Sequence, residues 1–386
     1  MSLAPVGIEL QMSVLLFVAM AGYLISSRLG WSVVIGEILV GILVGPSFLG
    51  LVTYTDFVRE LATMGSIFLL FVIGLETRFR EVYTFKSGVI ALVGVIIPWI
   101  GGFLLAYDLG YSFMTAFVIG VALTATSIAI TVHVLREMGK LNTPAANAII
   151  GAAVIDDVLG LFALSITARM SAGAFSAIAL LPTIAGAVIF LLAGAYIGMK
   201  GVAPLMWRLN KWSEKHGVGQ VTFITAVAIA FAYSVVAELI GLSAIVGAFL
   251  AGMSLENLRI KSYREGSAYL EIIFAAIFFI SLGVLVNLRA VPNLAGVSFF
   301  VVALTGVAVL TKLLGCYLPA KLLGFSGQDS AIIGFGMVPR GEIAMIVALT
   351  GFTSGLIDQS VYSALLLMSL LTTIATPLAI KKLYKT

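Results

Sequence analysis

The feature that most limits what this chain can fold into is a succession of apolar stretches, each about twenty residues long, separated by short connections that hold most of the charge. A helix of that length and character spans the hydrocarbon of a bilayer. Such windows run near residues 8–28, 32–51, 57–76, 85–107, 111–135, 143–170 and 177–199. They continue near 218–240, 242–257, 268–288, 293–318, 328–352 and 358–380. The sequence therefore predicts an all-α polytopic membrane protein with 13 transmembrane helices. Composition leaves no soluble alternative: 61% of the 386 residues are hydrophobic and 10% charged, with 40 glycines. The first window has no basic residue ahead of it and no small-residue cleavage site after it, so it reads as a retained helix. A single cysteine, Cys316, excludes an internal disulfide and reads as packing, and His133 and His216 stand too far apart to suggest a metal cluster. No cofactor and no nucleic acid is implied.

The net charge of +4 has a topological origin. Seventeen of the 22 basic residues fall in alternate connections and the C-terminal tail: Arg28; Arg78, Arg80 and Lys86; Arg136 and Lys140; Lys200, Arg208, Lys211 and Lys215; Arg259, Lys261 and Arg264; Lys321; Lys381, Lys382 and Lys385. The other side holds Arg59, Arg169 and Arg289. The positive-inside rule then puts the N-terminus outside and the C-terminus in the cytoplasm. Lys312 and Arg340 remain, both inside predicted spans.

A weak internal repeat suggests the architecture. Ser32, Gly36 and Gly41 of the second span match Ser243, Gly247 and Gly252 of the ninth at one offset. Residues 127–130 of the fifth resemble 342–345 of the twelfth at a nearby offset. Each pair is seven spans apart, and an odd separation inverts the direction of crossing, so the pattern is two inverted six-helix repeats around a connecting span. Spans five and twelve have the most unusual interiors: Thr124, Thr126 and Ser127 in one, and Met337 through Glu342 (MVPRGE) in the other. Pro339 and Gly341 favour a break, and backbone groups freed inside a membrane must find partners or line a wet cavity. Discontinuous helices in matching halves of an inverted repeat point to a transporter's binding site. A proline kink packed by neighbours is the plainer reading, but it does not account for Arg340 and Glu342 beside it.

Asp156 and Asp157 sit in the middle of span six. A carboxylate at the bilayer centre costs roughly 2.5–3.5 kcal/mol on insertion scales, so two together point to an ion or proton site. Adjacent helix residues project about 100° apart, so the two have different partners. Lys312 is the one ammonium inside a span, and pairing it with Asp156 leaves Asp157 to face a cavity. Burial disfavours the charged form of every member, so the group can exchange protons for a cation. A satisfied buried network holding the spans together is the structural alternative. Carboxylate, Thr126 or Ser127 hydroxyls, broken-helix carbonyls and water make an all-oxygen site for a small, hard, monovalent cation at Asp157. Arg340 and Glu342 would balance the partial charges of the opposed half-helix ends, a structural role. Glu37 in span two is open between lining a funnel and packing; Glu76, near Arg78 and Arg80, reads as interfacial, as does His133. Gly41 with Gly45, and Gly194 with Gly198, permit close helix contact inside the monomer.

Residues 151–160 (GAAVIDDVLG), with Ala125 through Ser127, Lys312, Met337 through Glu342 and Val34 through Gly41, resemble the cation:proton antiporter-2 family, specifically its NapA-like sodium/proton antiporters. The resemblance covers essentially the whole chain. It implies an NhaA-like fold with broken crossing helices, and a homodimer in which a six-helix core moves like an elevator against a dimerisation domain. The dimerisation domain would comprise residues 1–82 and 218–290, the core 83–172 and 291–386, and residues 173–217 the connecting span with a basic loop. The resemblance also implies Asp157 as ion and proton carrier, Asp156 paired with Lys312, and Thr126 near the helix crossing. An Asp-Asp pair resembles the electrogenic members, which exchange two protons per sodium. No nucleotide-binding extension follows Thr386, which argues against the regulated potassium-efflux relatives.

The expected function is secondary antiport in the plasma (inner) membrane, with proton influx driving Na+ or Li+ efflux in pH homeostasis and no enzymatic activity. A K+/H+ antiporter or other cation-efflux pathway of the same fold is the alternative. An intramembrane aspartyl protease is disfavoured because consecutive aspartates on one helix diverge, whereas that chemistry needs them to converge.

Overall fold

The structure is a computed structural model that describes residues 8–29, 31–78, 82, 84–171, 181–287, 289 and 294–385, without the side chains of 161–171, 181–184, 294–297, 342 and 385. Every regular element among the described residues is helical. The first half comprises α1 (Ile8–Leu29), α2 (Val33–Val44), α3 (Asp56–Glu76), α4 (Phe85–Asp108), α5 (Phe113–Thr124), α6 (Ile128–Glu137) and α7 (Pro144–Ser171). Next come α8 (Leu181–Ile197), α9 (Ala203–His216), α10 (Gln220–Leu239), α11 (Ala244–Leu255) and α12 (Lys261–Val284). The last are α13 (Leu294–Leu322), α14 (Gly327–Gly336), α15 (Glu342–Thr353) and α16 (Gln359–Lys385). Nine helical stretches among the described residues are long and apolar enough to cross a membrane, and shorter apolar helices lie at Val33–Val44, Ala244–Leu258 and Ile343–Thr353.

Local chemistry sets the boundaries. Thr55, Thr84, Ser112 and Ser326 accept hydrogen bonds from the backbone N–H three residues on, capping α3, α4, α5 and α14. The second apolar window is shorter as a helix than as a sequence. Residues beyond Val44 form a turn, because Pro46 restricts Gly45 and cannot donate to a continuing helix. The expected basic loop after span seven is also helical: a π-helical turn, Gly198–Val202, leads into α9. Pro204 in the first turn of α9 and left-handed Gly217 just past its end are helix start and stop signals. Trp207 and Trp212 are exposed on this helix, and the Lys211 ammonium lies 3.7 Å from the centre of the Trp207 ring.

Two groups of helices make up the body. One packs α1, α2 and α3 against α10, α11 and α12, and the other packs α4, α5 and α7 against α13 to α16. α6 packs on α7 and meets α2 and α3 of the first group and α16 of the second. Side-chain contacts bring the basic connections to one end of the bundle: Arg136 to Glu76, Lys381 to Glu137, Lys140 over the Tyr384 ring and Lys86 over Phe325. At the opposite end Ser47 bonds to the carbonyl of Val286, Arg289 to that of Phe48, and Thr115 to that of Leu356. Arg80 and the side chains of Arg169 and Lys385 lie outside the described residues.

Glycine determines how closely the first group packs. A Cβ at Gly41 would collide with the backbone of Ile280, and one at Gly283 with the backbone of Ile38, so α2 and α12 meet backbone to backbone. Gly74 and Gly252 do the same for α3 and α11. Gly45, Gly194 and Gly198 also face neighbours within the chain: Val284, Leu250 and Ser254. Forcing a side chain into such a contact costs about 1–3 kcal/mol. Gly252→Leu is therefore expected to lower the melting temperature of the detergent-solubilised protein. Gly306→Ala, where an added Cβ meets nothing within 4 Å, should leave it unchanged or raise it, since alanine favours helix.

Candidate functional site

The two expected breaks are present, and each supplies what the other lacks. α5 stops at Thr124, the chain runs extended to Ser127, and α6 begins at Ile128. α14 stops at Gly336, and Met337 through Gly341 lead to α15. At the crossing the Ser127 N–H donates to the Pro339 carbonyl at 2.8 Å, the Thr126 hydroxyl to that of Met337 at 3.3 Å, and the Thr131 hydroxyl to that of Gly336 at 2.6 Å. Gly341 is required here, because a Cβ would lie 2.6 Å from the Ser127 side chain. Pro339 ends α14 by lacking an N–H and leaves its carbonyl for Ser127.

Two buried cations close the remaining carbonyls. Lys312 on α13 is fully buried, and its ammonium donates to the Thr124 carbonyl at 2.8 Å and to both oxygens of Asp156 at 3.3 Å. Arg340, also fully buried, donates from Nη1 to the Ala125 carbonyl at 2.6 Å and from Nη2 to that of Ala308 at 3.4 Å. The C-terminal end of α5 carries negative partial charge, and both cations sit against it. Arg340 is thus a partner of backbone carbonyls. Glu342, assigned to the same charge balance from sequence, starts α15, and its side chain lies outside the described residues.

α16 completes the scaffold around Arg340. The hydroxyls of Ser369 and Thr373 donate to the Arg340 carbonyl at 2.8 and 2.9 Å, and the Thr372 hydroxyl accepts from its N–H at 3.3 Å. Sequence reasoning missed these residues, although their signal is visible: Ser369, Thr372, Thr373 and Thr376 recur at helical spacing in an otherwise apolar span.

Asp156 and Asp157 are 1% and 6% exposed and have the divergent surroundings that adjacent helix positions require. Asp156 faces Lys312, with Thr126 beside it. Asp157 instead lines a small cavity of about 10 Å³ with Thr126, Ser127, Ile128, Ala129, Ile245 and Ile343. That is room for about one water-sized sphere. The residues opening α6 and α15 share this cavity, and helix N-terminal ends favour a negative group. The structure therefore brings Asp156, Asp157, Thr126, Ser127, Lys312, Pro339, Arg340 and Gly341 to one crossing. Cys316 packs nearby, buried against Gly94 of α4.

A second charged cluster lies at the basic end. Arg136 of α6 pairs with Glu271 of α12 at 2.7 Å and with Glu76 of α3 at 3.2 Å. Glu137 accepts from the Ser32 hydroxyl at 2.6 Å and pairs with Lys381 of α16 at 3.5 Å. Glu76, read from the sequence as interfacial, pairs with Arg136 where the ends of α3 and α6 meet and lines a cavity together with Arg78. His133, expected at the interface, is mostly buried, with Nδ1 3.8 Å from Glu271 and its ring edge-on to Phe279. Glu271 carries little signal in the sequence, because it stands at the edge of the apolar window 268–288, where a carboxylate is unremarkable.

Removing the Asp156 charge leaves a buried ammonium without its anion, a loss of about 3–5 kcal/mol. Asp156→Asn should lower the melting temperature sharply, and adding Lys312→Met should recover most of the loss. A double variant as unstable as the single one would contradict a mutually dependent pair.

The family model described as "Sodium/hydrogen exchanger, transmembrane" matches residues 14–385. The Na(+)/H(+)-K(+) antiporter GerN of Bacillus cereus is 36% identical over 374 residues, covering 95% of this chain and 94% of that protein. A Na(+)/H(+) antiporter of Enterococcus hirae is 34% identical over 361 residues, 92% of this chain and 93% of that one. The structure of the sodium proton antiporter MjNhaP1 from Methanocaldococcus jannaschii superposes with a TM-score of 0.67 at 16% identity, covering 96% of this chain and 94% of that one, so the fold is shared. With a family model matched along nearly all its length and relatives of this identity, the chain is a multi-pass integral membrane protein that belongs to the sodium/hydrogen exchanger family.

Proposed function

We propose that the protein exchanges a cytoplasmic monovalent cation, Na+ or Li+, for external protons, with Asp157 as the carrier. The observation that carries this reading is the division of labour between the aspartates: Asp156 is held by Lys312, and Asp157 lines a small cavity at the helix crossing. Thr126 and Ser127, on the same cavity, supply hydroxyl oxygens to a dehydrated cation. The relatives named above are antiporters, which agrees with transport rather than enzymatic chemistry.

The finer architecture belongs to the same proposal. Thirteen spans form two inverted six-helix repeats. Gly36 and Gly247 each face the preceding helix, while Gly41 of α2 faces α12, the helix after α11, and Gly252 of α11 faces α3, the helix after α2, which supports equivalence of α2 and α11. Residues 1–82 and 218–290 form a dimerisation domain and 83–172 with 291–386 a core, a division that follows the two packing groups; the boundary at 172/173 lies outside the described residues. The core moves as an elevator within a homodimer in the plasma membrane, the basic end faces the cytoplasm, and two protons cross per sodium. The membrane potential then contributes about 2.3 kcal/mol per net charge per 100 mV.

K+ is a second substrate to test, because the printed name of GerN includes it. In proteoliposomes, Na+ should drive proton movement in the wild-type protein. Asp157→Asn should abolish that movement and Asp156→Asn should weaken it. Exchange surviving in Asp157→Asn would refute the carrier assignment, and competition among Na+, Li+ and K+ ranks the substrates. Protons and Na+ compete for one carboxylate, so the half-saturating Na+ concentration should rise as pH falls; a pH-independent value would count against a shared site.

A further inference from the structure

A cavity of about 740 Å³ opens at the basic end, between α6 on one side and α1, α2 and α12 on the other. Its wall is apolar apart from Tyr23, Glu37, His133, Arg136, Glu137 and Glu271. The charged groups are largely matched within the protein: Arg136 with Glu271 and Glu76, and Glu137 with Ser32 and Lys381. Glu37 is the exception. It is 4% exposed and makes no hydrogen bond or ion pair among the described residues. The charges acting on it are the carboxylates of Glu137 and Glu271, which repel it.

A carboxylate withdrawn from water without a counter-charge is strongly disfavoured as a bare anion. Its neutralising partner is therefore a proton or a cation from solution, the two species an antiporter handles. The cavity also lies next to the Asp157 site. Ala129 lines the small cavity and His133 the large one, on the same face of α6 and separated by a rise of about 6 Å. Arg136, the one guanidinium on the wall, is held by two other carboxylates, so it does not take the place of the missing counter-charge.

We infer that Glu37 is a second exchangeable carboxylate on the transport path, binding the monovalent cation from the basic-end compartment before it reaches Asp157. One proton leaves the Glu37 carboxyl as one monovalent cation binds, so the charge of the site is unchanged. The inference rests on the antiport reading of Asp157 and adds a station to it.

The test uses everted membrane vesicles from a host without its own sodium/proton antiporters, with Na+ added on the cytoplasmic face and proton movement read by a pH-sensitive dye. Glu37→Gln should raise the half-saturating Na+ concentration about fivefold while the maximal rate stays within about twofold. Glu37→Asp, which keeps the charge, should lie closer to wild type. A residue that merely fills space would leave the half-saturation of Glu37→Gln unchanged, and that result overturns the inference alone. Absence of Na+-dependent proton movement in wild-type vesicles overturns the antiport reading and this inference with it. If the variant does not accumulate, carbodiimide labelling of the wild-type protein decides. Modification of Glu37 that Na+ prevents supports the station, and a carboxyl left unmodified or unprotected rules it out.

Discussion

Everything at the centre of this molecule depends on two interrupted helices satisfying each other. Breaking a helix inside a membrane exposes backbone groups that lipid cannot hydrogen-bond. Here the N–H of Ser127 meets the carbonyl of Pro339, and the carbonyls of Thr124 and Ala125 meet Lys312 and Arg340. Neither break is sustainable alone, so the crossing is an obligatory pair. The buried cations are held as much by backbone as by Asp156, which is why charged residues can stand at this depth without a matching number of carboxylates.

The pattern of charge follows from that arrangement. The cations gather at the C-terminal end of α5, and Asp157 lines its cavity with the first residues of α6 and α15. Each sign thus sits where the helix dipoles favour it. One helical step, from 156 to 157, separates a residue that holds the structure from one that lines a cavity.

Much of this was legible in the sequence because the constraint is severe. Asp156, Asp157, Lys312 and Pro339 are conspicuous in an apolar chain, and the 100° step between adjacent residues foretold their separate surroundings. Arg340 was recognised as structural, but its partners were not, because carbonyl acceptors leave no trace in side-chain sequence. The hydroxyl ladder of Ser369, Thr372, Thr373 and Thr376 was legible in principle, since its spacing is helical, but hydroxyls are common enough in apolar helices to be passed over. The network of Glu76, Arg136 and Glu271 was the least accessible. Its members lie on α3, α6 and α12, far apart in the chain, and only the tertiary packing of helix ends decides which arginine meets which glutamate. The stretch 203–216 is charged enough to suggest a loop, although Pro204 and Gly217 mark a helix start and stop.

Glycine makes one group of helices stiff. Where α2 meets α12 and α3 meets α11, backbone touches backbone, and no side chain can rotate aside to let one helix slip along the other. The junction of α6 with α3 and α12 is built differently, from Arg136, Glu76 and Glu271, whose many rotatable bonds can re-form at a new register. One group of helices is therefore locked together by backbone contact and meets α6 through jointed side chains. A shift at the α6 junction would cost rotamer changes in three side chains, whereas a shift between the glycine-faced helices would drive backbone into backbone.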